Sequence, residues 1–307
     1  MIGRVTQQTV QRSTLANLQL NLSAMAQLQG KLSSNKSITK PSDDPAGTGS
    51  AMALRGSLRA NAQHSRNIDD GNGWLSTINT AMQSSIDTLG RVRDLTVQGA
   101  SSGTMDATAR EAIAVEIDGL RDSLLSEANT SYLGRSVFAG TSDVGSAVTV
   151  TNVPDPLVPG STRTYTSNSV PGTSVQRRVD ANTLVRVDVD GSAAFGAGGG
   201  SIFATLDRIS ATLRTSGPLT GEIAALDVHR DAMLSQLSGV GARHGQVLSA
   251  QYRALDTKTG ILGRLSGVED VDLAATVVQL QAQEVSYKAA LGATARVLQP
   301  TLLDFLH

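Results

Sequence analysis

The sequence contains no cysteine. Disulfides, thiolate metal ligands and a cysteine nucleophile are therefore excluded, and bridge chemistry says nothing about its compartment. Aromatic side chains are scarce, with Phe 4, Tyr 4 and Trp 1 in 307 residues. A compact enzyme of this length usually anchors its core and pocket on more of them. One-sided charge is missing too, since 26 basic residues stand against 27 acidic ones. A net charge of -1 offers no basic stripe for nucleic acid and no attraction to an anionic membrane surface. No stretch approaches the ~18 apolar residues of a membrane span. The opening Met1-Ile2-Gly3-Arg4-Val5 has neither the charged nor the apolar region of a cleaved leader. A soluble chain is expected, either cytoplasmic or exported without a cleaved signal.

Catalytic groupings are equally thin. His64, His229, His244 and His307 are scattered, with no pair at helical spacing, so solvated or packed imidazoles are expected rather than metal ligands. Gly196-Ala197-Gly198-Gly199-Gly200 lacks the lysine and hydroxyl of a phosphate loop and reads as a linker. No nucleophile elbow and no shifted carboxylate pair is apparent. No enzyme activity, no cofactor and no metal site are expected.

What the chain does contain is helical seams. Leu15, Leu18, Leu22, Met25 and Leu32 follow a three-four spacing with a polar slip at Gln29, the narrow stripe of a coiled coil. A turn-rich loop follows, and in it Pro41, Ser42, Asp43, Asp44 and Pro45 predict the start of a helix. Asp44 is placed at the N-cap and Pro45 at the first helical position. An adjacent carboxylate pair also suggests a metal, but no third ligand lies near in sequence. A long helix is predicted from Ala46 to about Gly99, with a kink or break at Gly71 and Gly73 beside a core Trp74. Thr108 and Glu111 read as a capping box for the next helix.

Residues 141–200 change character, being rich in Gly, Ser, Thr, Val, Pro and Asp. Val175–Val179 and Leu184–Val189, with Asp190-Gly191 after them, read as strands with a tight turn. Helix resumes at Ser201, breaks at Gly217-Pro218 and runs on from Gly221 to Leu262. Leu226, Met233, Val240, Val247, Ala254 and Ile261 recur every seven residues along it, predicting a rod of ~60 Å that needs partner helices. Ser266 and Glu269 suggest a second capping box. Leu273, Val277, Leu280, Tyr287, Leu291, Leu298, Leu302 and Phe305 then mirror the first seam, with slips at Glu284 and Thr294.

The expected fold is mainly α, with long antiparallel helices in a coiled-coil-like rod built from both chain ends and a small central β-rich insertion. Residues 1–40 and 268–307 would form a terminal assembly domain, 41–140 and 201–267 a helical rod, and 141–200 an outer insertion. Narrow seams at both ends want each other or neighbouring copies, so association is the expected activity, and both ends are expected to be mobile until neighbours complete them.

The stretch Leu32-Ser33-Ser34-Asn35-Lys36-Ser37-Ile38-Thr39-Lys40-Pro41-Ser42-Asp43-Asp44-Pro45 resembles the post-helix signature of the flagellin superfamily. The likeness continues through Arg66–Asp70, Trp74–Ser76, Asp94–Gly99, Ala128–Thr130, Gly134–Thr141, Glu269–Ala274 and Thr301–Leu306, covering about residues 1–141 and 201–307. Its Lys-Pro-Ser-Asp-Asp-Pro wording is closer to the hook-associated branch than to filament flagellins. Asn35 departs from the usual glycine, and Val271 stands where the family favours a small residue.

The resemblance implies a secreted, extracellular structural subunit of the bacterial flagellum, exported through the type III apparatus with an export chaperone. It would form a homo-oligomer layer against another hook-associated protein and flagellin, without nucleic acid or membrane insertion. Assembly would run through Leu15, Leu18, Leu22, Met25, Leu32, Leu273, Leu280, Leu291, Leu298, Leu302 and Phe305. The alternatives are a filament flagellin and, less strongly, a surface adhesin using the insertion.

Overall fold

A computed structural model of the chain describes residues 7–101, 106–151, 163–170 and 172–298. The architecture is mainly helical and divides into two compact units, residues 1–60 with 257–307 and residues 61–256.

In the first unit, α1 (Gln7–Ser34) lies along α7 (Leu273–Leu298). The two run antiparallel, because Asn21 meets Gln283 while Lys36 and Asp270 form an antiparallel bridge. Asn35 ends α1 at φ 55°, a left-handed turn that asparagine tolerates better than most residues. Its carbonyl accepts from Val271 N, and Ser37 N donates to Glu269 O at 2.7 Å. The turn after α1 is thereby fastened to the corner between α6 (Thr220–Glu269) and α7.

The predicted capping box at Ser266 is corrected by this corner. Helix α6 continues through Glu269, whose carboxylate is taken by Arg55 and Lys36 and is not available to cap. Helix α7 starts instead at Asp272, whose Oδ1 accepts from Ala275 N at 3.0 Å. Helix α2 (Pro45–Ser101) starts with Asp44 Oδ1 accepting from Gly47 N at 2.9 Å and Pro45 as its first residue.

The second unit contains most of the core. Leu226, Met233, Val240 and Val247 of α6 are buried every seventh residue, and Ile68, Leu75, Ile78, Met82, Leu89 and Val92 of α2 are buried too. No break occurs at Gly71 or Gly73, and α2 is continuous. These glycines serve close approach: a side chain at Gly73 would sit 2.3 Å from the Tyr132 hydroxyl, and one at Gly71 would sit 3.2 Å from Val187. Trp74 is buried edge-on to Tyr132.

Helix α3 (Ala107–Ala128) is capped by Asp106, not by Thr108. Asp106 Oδ1 accepts from Ala109 N at 2.7 Å, which places Thr108 inside the first turn.

Among the described residues three separate antiparallel strand pairs follow: β1 (Ser131–Tyr132) with β2 (Arg135–Ser136), β3 (Val148–Thr151) with β4 (Thr164–Ser167), and β5 (Gln176–Arg178) with β6 (Leu184–Arg186). The last pair is shorter than predicted. At Val175 the amide turns from the neighbouring strand to the buried Asp188 carboxylate, 2.9 Å away. Asp190 is not in a hairpin turn either; it caps the short α4 (Gly191–Phe195). The glycine run forms a tight 3-10 turn with Gly196 at φ 76°, rather than a slack linker. It leads to Ser201, whose hydroxyl accepts from Ala204 N and starts α5 (Ile202–Thr215).

Candidate assembly surface

A helix with an apolar residue every seventh position can complete its seam on either neighbouring flank. On α1 that row is Leu18, Met25 and Leu32, all half-buried. Within the chain it is completed by Thr14, Asn21 and Leu28, while Leu15 and Leu22 remain 58% and 49% exposed. On α7 the inward line is Thr276, Leu280, Gln283, Tyr287, Ala290 and Thr294. Leu273 and Leu291 are exposed, as are Val277, Val278 and Val285. Leu298 belongs to α7 but its side chain lies outside the described residues, as do Leu302 and Phe305.

The inner contact is therefore half polar and the outer flanks are apolar. Gln283 Nε2 donates to Asn21 Oδ1 at 3.2 Å across the seam. A polar pair in such a seam holds register at some cost in stability. Replacing both by leucine is expected to stabilise the α1–α7 pair by ~1 kcal/mol, seen as slower amide exchange along α1. Faster exchange in the double variant would refute that. Sequence reasoning missed Thr14, Asn21, Thr276, Gln283 and Ala290; the only signal for them is their own four-three spacing.

The helix-start loop is held from within. Asp43 Oδ2 accepts from Thr39 Oγ1 at 2.7 Å, Thr39 N at 3.1 Å and Lys40 N at 3.0 Å. The Thr39 hydroxyl is the main cause of a carboxyl held below its ordinary range. Pro41 and Ser42 are exposed beside it.

Behind the loop, Asp270 accepts from Lys36 Nζ at 2.6 Å and from Ser266 Oγ, which lowers its pKa and raises that of Lys36. A carboxyl lowered on folding contributes stability above its unfolded value of ~3.9, which is lost as pH falls through the folded value. Carbon-detected NMR should place the Asp270 midpoint below ~3.9, and Lys36→Gln should move it up. An unchanged midpoint in that variant would exclude Lys36 as the cause.

The second unit offers a different candidate, a cavity of about 500 Å³ lined by Asp118, Arg121, Arg163, Asp207, Arg208 and Arg214 among others. Its floor is Arg121, whose side chain is 4% exposed and ion-paired to Asp118, Asp122 and Asp207 at 2.6–2.9 Å. Tyr165 donates to Asp207 Oδ2 at 2.7 Å, and burial with that bond pushes the phenol's pKa up. Arg163 pairs with Asp207, Arg208 with Glu222, and Arg214 with Glu111 and Asp118. Each guanidinium already faces a carboxylate, so the arrangement fastens β4 and α3 to α5 and offers no spare charge to a ligand.

The histidines sit apart. His229 Nε2 lies 3.4 Å from Thr205 Oγ1, with its pKa lowered by burial, and His244 Nε2 lies 2.6 Å from Asn72 Oδ1. Among the described residues no group of three or more His, Asp or Glu side chains is placed to hold a metal, and no helix is long and apolar enough to cross a membrane.

Known proteins similar to this chain are flagellar. Residues 5–143 match the model of the bacterial flagellin N-terminal helical region. The chain is 34% identical to a flagellin of Bacillus subtilis (strain 168) over 146 residues, 47% of this chain and 48% of that one. It therefore spans about half the length of that relative. It is 26% identical to flagellar hook-associated protein 3 of Escherichia coli (strain K12) over 298 residues, 84% of this chain and 87% of that one. The fold matches a solved structure titled as a flagellar hook-associated protein from Vibrio parahaemolyticus, with TM-score 0.65 and 20% identity. That match covers 74% of this chain and 100% of that one.

Proposed function

We propose that this protein, similar over residues 5–143 to the flagellin N-terminal helical region and over 84% of its length to flagellar hook-associated protein 3, is a structural component of the bacterial flagellum that joins the hook to the filament. Copies form a layer, with a second hook-associated protein on one side and flagellin on the other. The observation that carries the reading is the uncovered apolar flank on each terminal helix, Leu15 and Leu22 on α1 and Leu273 and Leu291 on α7. An isolated chain leaves these in water, and a tube wall built from neighbouring copies removes them from it.

On this reading the segments 1–40 and 268–307 carry assembly, 41–140 and 201–267 form the next layer, and 141–200 faces outward. Secretion follows the type III route with an export chaperone, and the protein is extracellular. It binds no nucleic acid and inserts in no membrane.

The junction role is preferred to a filament flagellin on the Lys40-Pro41-Ser42-Asp43-Asp44-Pro45 wording. Length of likeness does not separate them, since hook-associated protein 3 and a filament core protein of Treponema maltophilum both align over more than four fifths of the chain. Electron microscopy of cells lacking the protein tests it, with hooks bare of filaments as the expected picture. Gold-labelled antibody on parental cells should mark one narrow band at the hook's distal end; label along the whole filament would replace the junction by a flagellin.

A further inference from the structure

Helix α6 carries two seams. The buried one is Met233, Val240 and Val247. One residue further round lie Leu234, Gly241, Leu248 and Leu255, with Gly245 and Tyr252 completing the four-three spacing. Leu234, Leu248, Leu255 and Tyr252 are all exposed, Tyr252 at 73%. Among the described residues nothing lies within 4 Å of where a side chain at Gly241 or Gly245 would begin, so the close approach that explains Gly71 and Gly73 does not explain them.

A matching line lies on α3 in the same unit: Thr108, Ala112, Val115, Gly119 and Asp122, all exposed and in the same four-three phase. Gly119 also has open space above it. The two lines are complementary in size at one step, because α6 presents the exposed Tyr252 and α3 the open Gly119. They are complementary in charge as well. On α6 Arg253 is exposed, and on α3 Asp122, though paired with Arg121, keeps 67% of its side chain in solvent, whereas Glu111, Glu116 and Asp118 are taken by Arg214, Arg91 and Arg121.

We propose that the exposed α6 stripe of one copy packs on the exposed α3 stripe of a second copy. The surfaces differ, so the contact is head-to-tail and repeats around a closed layer. Tyr252 sits over Gly119, Leu248 beside Val115, and Arg253 near Asp122. This rests on the reading that copies stand side by side in a flagellar layer, and adds the faces by which they meet.

The absence of cysteine makes the test clean. Flagella are isolated from cells whose only copy carries Val115→Cys with Leu248→Cys, and are oxidised before non-reducing electrophoresis. The expected result is a ladder of cross-linked dimers and higher species from the double variant, with each single variant staying monomeric. Gly119→Cys with Tyr252→Cys reads the same contact one turn away and covers a failure peculiar to the first pair. Flagella that contain both double variants yet give no ladder overturn the contact and leave the junction reading standing. Cross-linking by Leu248→Cys alone overturns the α3 assignment in favour of like-with-like pairing. A parental chain absent from isolated flagella overturns the junction reading and this contact with it.

Discussion

Leu22→Asp is expected to abolish incorporation of the chain into flagella while leaving the isolated protein folded. The argument turns on which flank of α1 the residue occupies. Leu22 is about half exposed and lies outside the contact with α7, unlike Leu18 and Met25. An aspartate there meets water in the monomer, and a surface change of this kind shifts stability by only about 0.5 kcal/mol. If a neighbouring copy covers the flank, the same carboxylate is desolvated without a partner, at a cost of several kcal/mol in every contact of the layer. Leu291→Asp on α7 should behave the same way. Leu18→Asp is the contrast, because it lies in the inner seam and should weaken the α1–α7 pair in the monomer too. Thermal unfolding, immunoblots of the medium and motility separate the cases. Normal motility in both outer-flank variants would reject assembly through this surface.

The terminal seams show what could be read from the chain and what could not. The row Leu18, Met25 and Leu32 is visible because its period is seven. Its flank is ambiguous, since Leu15 and Leu22 look more apolar than Thr14 and Asn21. Apolarity favours the leucines, yet the threonine and asparagine face inward. The reason is on α7, where Thr276, Gln283, Ala290 and Thr294 offer a small and polar line that suits them, with Gln283 bonded to Asn21. A rule that ranks residues by hydropathy finds the exposed flank before the seam used within the chain.

Local punctuation misled for similar reasons. Gly71 and Gly73 resemble a helix break, but they make room for Val187 and Tyr132, which lie far along the chain. Thr108 with Glu111, and Ser266 with Glu269, match a capping pattern, but Asp106 and Asp272 reach the free amides. The Arg121 fastening joins residues 86 positions apart at Asp207, and no periodicity announces a contact of that range. The seven-residue repeat of α6, by contrast, needed only its own spacing.

The largest stability effect is expected from Phe203→Ala. Six of the nine aromatic residues gather in two groups. Phe138, Phe195, Phe203 and Tyr165 form one cluster, and Trp74 with Tyr132 forms a pair in the same unit. Phe203 is fully buried between Tyr165, 5.3 Å away, and Phe195, 6.0 Å away. Phe195 in turn meets Phe138 edge-on at 5.1 Å. Truncation to alanine removes both ring contacts and leaves a cavity where α5 supports the hairpins, a loss of about 3–5 kcal/mol. Against a typical margin of 5–15 kcal/mol, that is a large fraction.

The effect should also be local in its first consequence. Tyr165 is held on α5 by Phe203 and by its bond to Asp207. Loss of the ring leaves only the polar half of that attachment, so residues 163–186 should become protease-sensitive before the unit unfolds. Phe203→Leu keeps most of the volume and should cost under about 1.5 kcal/mol. Unfolding of Phe203→Ala within about 1 kcal/mol of the parent would show that the hairpins and α5 do not share a core. In that case the central segment would be a separable appendage, and removing it should leave the helices intact.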